Sequence, residues 1–177
     1  YRVNNYITCW KMASSEVTHV THPNGRNSVY EVVSRNQERV SGVVSILPVT
    51  KNNEIIMIEQ YRIPVGRTML EFPPDAKANQ AKTLEEVVHA ELREETGYQT
   101  DSLTYVAEFA SSAGMTDETS HAFIAHGCEK VTDTLDLDSH EYITPVIIPL
   151  VNFDRFILDE LAHGRLMDAK SLALIWY

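Results

Sequence analysis

Thr83-Leu84-Glu85-Glu86-Val87-Val88-His89-Ala90-Glu91-Leu92-Arg93-Glu94-Glu95-Thr96-Gly97 is the stretch from which the rest of the chain is read. Thr83 and Glu86 make a capping box, in which the Thr83 hydroxyl accepts from the Glu86 amide and the Glu86 carboxylate returns to the Thr83 amide. Gly97 suits the left-handed position past a helix end, so the spacing predicts a helix over 84–96. At about 100° per residue, Leu84, Val87, Val88 and Leu92 cluster on one face. Glu91 and Glu95 share that face, and Glu94 sits one step off its edge. Like charges four residues apart repel, and carboxylates set against apolar neighbours are costly unless compensated. A hard divalent cation held by oxygen ligands removes both penalties. A solvated acidic face is the other reading; it suits Glu85 and Glu86, whereas for Glu91 and Glu95 both readings stand.

Outward from this helix, strand-like segments rich in β-branched and aromatic residues dominate the first part of the chain, at 17–21, 28–35, 42–49, 55–60 and 68–72. Pro23-Asn24-Gly25 and Asn52-Asn53 read as turns, and Pro73-Pro74 stops the last of these strands. Further strands are expected near 102–109, 120–125 and 143–150, and amphipathic helices near 153–163 and 168–177. Strands first, with helices interspersed and last, predict an α/β layered domain with a mixed sheet.

The 177 residues suit a single domain over 1–177. With 25 Asp+Glu against 15 Lys+Arg, the formal charge is -10, a field that repels a phosphate backbone and argues against a nucleic-acid partner. A small anionic substrate remains compatible if a divalent metal supplies local positive charge. The apolar runs at 43–49 and 145–151 are too short to span a bilayer, so no membrane partner is expected. Cys9 and Cys128 are too few for a disulfide framework and read as inert small hydrophobes, with a reducing cytoplasm as the expected location. The seven histidines lack i, i+4 pairing and make no zinc signature.

Glu91-Leu92-Arg93-Glu94-Glu95-Thr96-Gly97-Tyr98 resembles the second half of the Nudix box, G-x5-E-x7-R-E-U-x-E-E-x-G-U with U apolar. The first half departs from it: Ala90 stands at the arginine position, Lys82 at the earlier glutamate and Ala76 at the first glycine. Gln60-Tyr61-Arg62-Ile63-Pro64-Val65-Gly66-Arg67 followed by Leu70-Glu71-Phe72-Pro73-Pro74 is similar to the QYR…LE-[LF]-PAG stretch of ADP-ribose pyrophosphatases, with Asp75 replacing the last glycine. Ser112-Ala113-Gly114-Met115-Thr116-Asp117-Glu118 resembles that branch's S-P-G-x-[ST]-x-E loop, with Ala113 for proline. Asp136-Leu137-Asp138-Ser139-His140-Glu141 resembles its acidic loop, and the stretch from Met167 to Leu174 its closing helix.

The resemblance implies a Nudix-like α/β/α sandwich with a mixed sheet, plus an N-terminal antiparallel strand region over about 1–40 that takes part in forming a homodimer. It implies metal-dependent cleavage of ADP-ribose or a related nucleoside diphosphate sugar, with Mg2+ or Mn2+ ligated by Glu91 and Glu95, and Glu94 ligating or orienting. Glu141 is the expected general base and Glu118 the second candidate. Arg62 resembles the arginine that reaches the substrate phosphates; an ion pair with Glu71 or Glu59 is its structural alternative. Arg35 is similar to a residue contacting the nucleotide, and Trp10 and Tyr30 match positions that stack on the base, although each also suits a core, interface or surface role. A catalytically impaired nucleotide-binding or regulatory module is the alternative function, favoured by Lys82, Ala90, Asp75 and Ala113. Retention of Glu91, Glu94 and Glu95 favours the enzyme.

Overall fold

The computed structural model describes residues 3–9, 14–34, 43–76, 83–139 and 141–177; Trp10, Arg35 and Lys82 lie outside them. Helix α1 spans Leu84–Thr96, as the capping signals predict. The Thr83 hydroxyl accepts from the Glu86 amide at 3.2 Å, and the Glu86 carboxylate accepts from the Thr83 amide at 2.6 Å. At the other end Gly97 adopts φ 77° and its amide donates to the Arg93 carbonyl. The Gly97 carbonyl in turn accepts from the amides of Val131 (2.9 Å) and Thr132 (3.2 Å). A Cβ at Gly97 would lie 2.3 Å from the Thr132 carbonyl oxygen, so both the backbone angle and the close approach demand glycine.

The principal sheet is mixed and is organised around β4 (Val43–Thr50). β4 pairs antiparallel with β5 (Glu54–Arg62) through a turn in which Asn53 takes φ 57°, and with the short β7 (Pro74–Ala76). It pairs in parallel with β10 (Thr119–Lys130), with Ser120 opposite Val43. β6 (Arg67–Glu71) and β11 (Ile143–Pro149) flank β5, and β9 (Ser102–Ala110) lies beside β10. Two-residue strands, β8 (Tyr98–Gln99) and β12 (Leu166–Met167), complete it on β10 and β6.

Alternation along the strands gives each face of this sheet its own core. Val44, Ile46, Ile56 and Phe123 pack against Val87, Val88 and Leu92 of α1. Ile55, Met57, Leu70 and Phe72 face the other way, onto Phe153 and Ile157 of α2 (Phe153–Ala162) and Leu174 of α3 (Ala169–Ile175). Helices on both faces of a mixed sheet make the expected α/β/α sandwich.

A separate antiparallel sheet of β1 (Val3–Cys9), β2 (Ser14–Thr21) and β3 (Asn27–Ser34) forms the expected N-terminal strand region. Gly25, at φ 79°, makes the turn between β2 and β3. The Val33 amide donates to the Met115 carbonyl at 2.9 Å, and the Ser34 hydroxyl donates to the Asp117 carboxylate, which ties this sheet to the loop at 112–118.

The sequence reading omits β1, β7, β8 and β12 and ends β10 too early. A register shift between Ala125 and Cys128, with Gly127 at φ 61°, lets β10 continue and reach β8. Asp168 precedes α3 in extended conformation, and its carboxylate caps the helix by accepting from the Ser171 amide. Among the described residues no helix is long and apolar enough to cross a membrane.

Gly97→Ala is expected to destabilise the chain by at least about 2 kcal/mol, from the left-handed backbone and the clash with Thr132. Urea unfolding followed by circular dichroism measures it, and a loss below about 0.5 kcal/mol contradicts this account of the α1 terminus.

Candidate functional site

The β5–β6 register fixes which charges meet. Glu71 lies opposite Ile58, Met69 opposite Gln60 and Arg67 opposite Arg62, so Arg62, Gln60 and Glu71 all point to the α1 face. Glu71 is 1% exposed, and its carboxylate needs a cation. Arg62 stands four residues beyond Ile58, and its long side chain reaches back along the sheet to supply one. Arg62 Nε donates to Glu71 Oε1 at 2.9 Å and Nη2 donates to Oε2 at 2.7 Å, a bidentate fork. Glu59 alternates to the opposite face and pairs there with Arg165 at 2.8 Å.

Glu95, on α1, is 3% exposed. Burial works against the Arg62 charge, but the Glu71 hydrogen bonds and the fields of Glu71, Glu95 and Asp168 outweigh it and hold the guanidinium above its ordinary pKa. The sequence-predicted Arg62 and Glu95 are thus brought into one electrostatic neighbourhood. Glu91 and Glu94, on the same helix, are half-buried. Two of the five N–H donors of Arg62 are engaged by Glu71; among the described residues the other three have no hydrogen-bond partner.

Glu141 occupies a turn in which its amide donates to the Asp138 carbonyl (2.9 Å) and its carboxylate accepts from the Asp138 amide (3.0 Å). The same acidic loop is fastened to α1 where the Asp136 amide donates to the Glu94 carbonyl at 3.1 Å. Two residues after Glu141, Ile143 begins its pairing opposite Gln60, two residues before Arg62, so the loop enters the sheet close to the arginine. Glu118 immediately precedes β10, and its carbonyl accepts from the Ser111 amide. Tyr30, 51% exposed, stands on β3, on the small sheet rather than in the Arg62–Glu71 neighbourhood. Trp10 and Arg35 lie outside the described residues. Cys128 is buried, and burial pushes its thiol up to about 11, so it stays protonated at neutral pH and offers no nucleophile.

Sequence reasoning missed Asp168. β12 runs parallel to β6 with Leu166 opposite Met69 and Met167 opposite Leu70, and the next step sets Asp168 level with Glu71. The signal was a capping residue, Asp168, read instead as the first residue of a helix.

Carboxylate oxygens are the donor type a hard dication selects. Among the described residues no three His, Cys, Asp or Glu side chains come close enough together to hold a metal ion by themselves.

A mixed sheet between helical layers, with a carboxylate-bearing helix turned toward a paired arginine, is the architecture of a Nudix-type domain. No family model matches the chain. It is 31% identical over 167 residues to the ADP-ribose pyrophosphatase of Bacillus subtilis, covering 94% of this chain and 85% of that protein. It is 31% identical over 149 residues to the GDP-mannose pyrophosphatase of Yersinia enterocolitica, covering 79% and 74%. It is also 29% identical over 167 residues to the methanol dehydrogenase activator of Bacillus methanolicus, covering 94% and 85%. A crystal structure of an ADP compounds hydrolase superposes with a TM-score of 0.73 at 20% identity, covering 88% of this chain and 80% of the other, a likeness of fold. The chain belongs to the Nudix hydrolases, in the branch of the ADP-ribose pyrophosphatases.

Glu71→Ala leaves Arg62 facing a cavity without its counter-ion and is expected to cost about 2–4 kcal/mol. Replacing Arg62 and Glu71 together by Met is expected to cost clearly less. Denaturant midpoints of the two variants check the ordering, and equal losses refute the description of Glu71 as a buried, paired charge.

Proposed function

We propose that this chain hydrolyses the diphosphate of ADP-ribose or a related nucleoside diphosphate sugar, releasing a nucleoside monophosphate and a sugar phosphate, with Mg2+ or Mn2+ as cofactor. The observation that carries this reading is an arginine held by its bidentate partner Glu71, with buried Glu95 acting on its charge and three N–H donors left for phosphate oxygens. The names of the Bacillus subtilis and Yersinia relatives support the substrate class.

In this reading Glu91 and Glu95 would hold the cation, and Glu94 would ligate it or orient a water. The cation supplies neutralising charge on the phosphate oxygens and a more acidic water. Arg62, fixed on its Glu71 side, presents its outer edge to a nonbridging phosphate oxygen, and a planar fork suits that geometry. Glu141 takes the proton of the attacking water, because its loop is fastened to α1 at Glu94 and enters the sheet close to Arg62. Glu118 is the second candidate for that proton. Arg35, Trp10 and Tyr30 contact or stack on the nucleotide, and the exposed ring of Tyr30 is available for stacking, which any base accepts.

The small sheet supports a homodimer. Val29 and Tyr30 expose large apolar surface on β3, and the sheet meets the larger domain through Val33 and Ser34. A reducing cytoplasm suits the free, buried Cys128.

The second reading is a regulatory module that keeps the fold with little chemistry. It is favoured by the similarity to a protein named as an activator of another enzyme and by Lys82, Ala90, Asp75 and Ala113.

A phosphatase-coupled assay over ADP-ribose and a panel of nucleotide sugars decides between them, since the intact diphosphate has no terminal phosphate and both products do. Metal-dependent phosphate release is expected, with Glu95→Gln lowering turnover at least about 100-fold while the fold is retained. Silence across the panel, or a Glu95→Gln variant turning over like the parent, refutes the hydrolase. In sedimentation, a species of twice 20.0 kDa is expected, and a species of 20.0 kDa alone contradicts the dimer.

A further inference from the structure

We propose that Asp168, at the start of the last helix, is a positioning residue for Arg62: it sets how firmly the guanidinium is held against Glu71, and thereby where its free edge stands. This deepens the hydrolase reading and rests on it only for its kinetic consequence.

Asp168 is carried to this place by the sheet. The parallel pairing of β12 with β6 ends at Met167 opposite Leu70, and Asp168 continues in extended backbone, φ -81° and ψ 158°, so that one further step of this register falls level with Glu71. The next turn is locked to the same strand: the fully buried Ser171 hydroxyl accepts from the Phe72 amide at 2.8 Å, one residue beyond Glu71. Asp168 Oδ1 accepts from the Ser171 amide at 2.8 Å, and Oδ2 lies 2.7 Å from Lys170 Nζ. The side chains of Asp168 and Lys170 are 13% and 20% exposed, so neither charge is well screened by solvent. The charges of Glu71, Glu95 and Asp168 all act on Arg62, and Lys170 is the cation paired with Asp168.

These contacts assign opposite effects to two neighbouring residues. The Asp168 carboxylate adds to the negative field that holds the guanidinium at Glu71 on β6. Lys170 tempers that attraction by neutralising Asp168. If the edge of Arg62 that meets a phosphate must be held within a fraction of an ångström, Asp168 influences the diphosphate without touching it.

The test separates this role from a purely structural one. Asp168→Asn removes the charge and keeps an amide oxygen that caps α3. In 15N-labelled full-length protein without metal or substrate, the Arg62 Nε–Hε signal, identified by its loss in Arg62→Lys, reports the Glu71 contact directly. Hydrogen exchange at this site is expected to quicken about fivefold in Asp168→Asn and to slow in Lys170→Gln, where Asp168 loses its neutralising partner. No change, or movement of both variants in one direction, overturns the proposal. Should Asp168→Asn fail to fold, Lys170→Gln alone decides by the same sign. In catalysis, Asp168→Asn is expected to lower kcat/KM for a nucleoside diphosphate sugar about tenfold, with no further loss in an Arg62→Lys background. Additive losses overturn it. If the parent protein hydrolyses no nucleotide sugar while the exchange rates move as stated, the hydrolase reading falls and the positioning of Arg62 by Asp168 stands.

Discussion

A carboxylate that the sheet buries at Glu71 constrains this whole face of the molecule. Backbone register alone decides that Glu71 points toward α1, because a residue opposite Ile58 on β6 has no other face available. Once there it requires a cation, and Arg62 is the residue whose reach and parity provide one without leaving the strand pair. The bidentate geometry uses one side of the guanidinium and directs the other outward. Glu95 then acts on a cation that is already committed.

The strand connections explain why so many elements converge there. The chain from Arg67 to Ala76 first lies along β5 and then crosses to β4, so Glu71 and Phe72 sit where the two parts of the sheet diverge. α1 covers that divergence, with its end fixed by Gly97 against Val131 and Thr132. The acidic loop leaves from this fixed end, bonded at Glu94, and returns to the sheet at Ile143 opposite Gln60. One rigid helix therefore positions its own glutamates and the loop bearing Glu141.

Features carried by local signals were legible in the sequence. The bounds of α1 follow from Thr83, Glu86 and Gly97, each of which acts within four residues of the helix end. The turns at Pro23-Asn24-Gly25 and Asn52-Asn53 are equally local. The strands that escaped notice owe their existence to distant neighbours: β8 and β12 are two residues long, and β7 begins at a proline that reads as a stop. No pattern internal to such a segment announces its pairing. The same limit governed the site. Periodicity placed Glu91 and Glu95 on the apolar face, but the choice between Glu71 and Glu59 as partner of Arg62 needed the strand register, which sends Glu59 to Arg165. Asp168 entered the cluster through a parallel pairing across nearly a hundred residues of chain.

The balance of charge also bears on how an anion can approach. The chain carries a formal charge of -10, and the described acids of the site add a local excess of the same sign. Arg62 cannot offset this alone, since Glu71 neutralises it at hydrogen-bond distance and Glu95 and Asp168 lie within its field. A diphosphate entering such a surface without a counter-cation meets net repulsion. A divalent cation held by the α1 glutamates would supply that counter-charge. Under the proposed function, cation and diphosphate then strengthen one another's binding by equal factors, as linkage requires. The first-half departures at Lys82 and Ala90 weigh less in that scheme than the loss of Glu95 would, because Glu95 is one of the residues that would hold the cation.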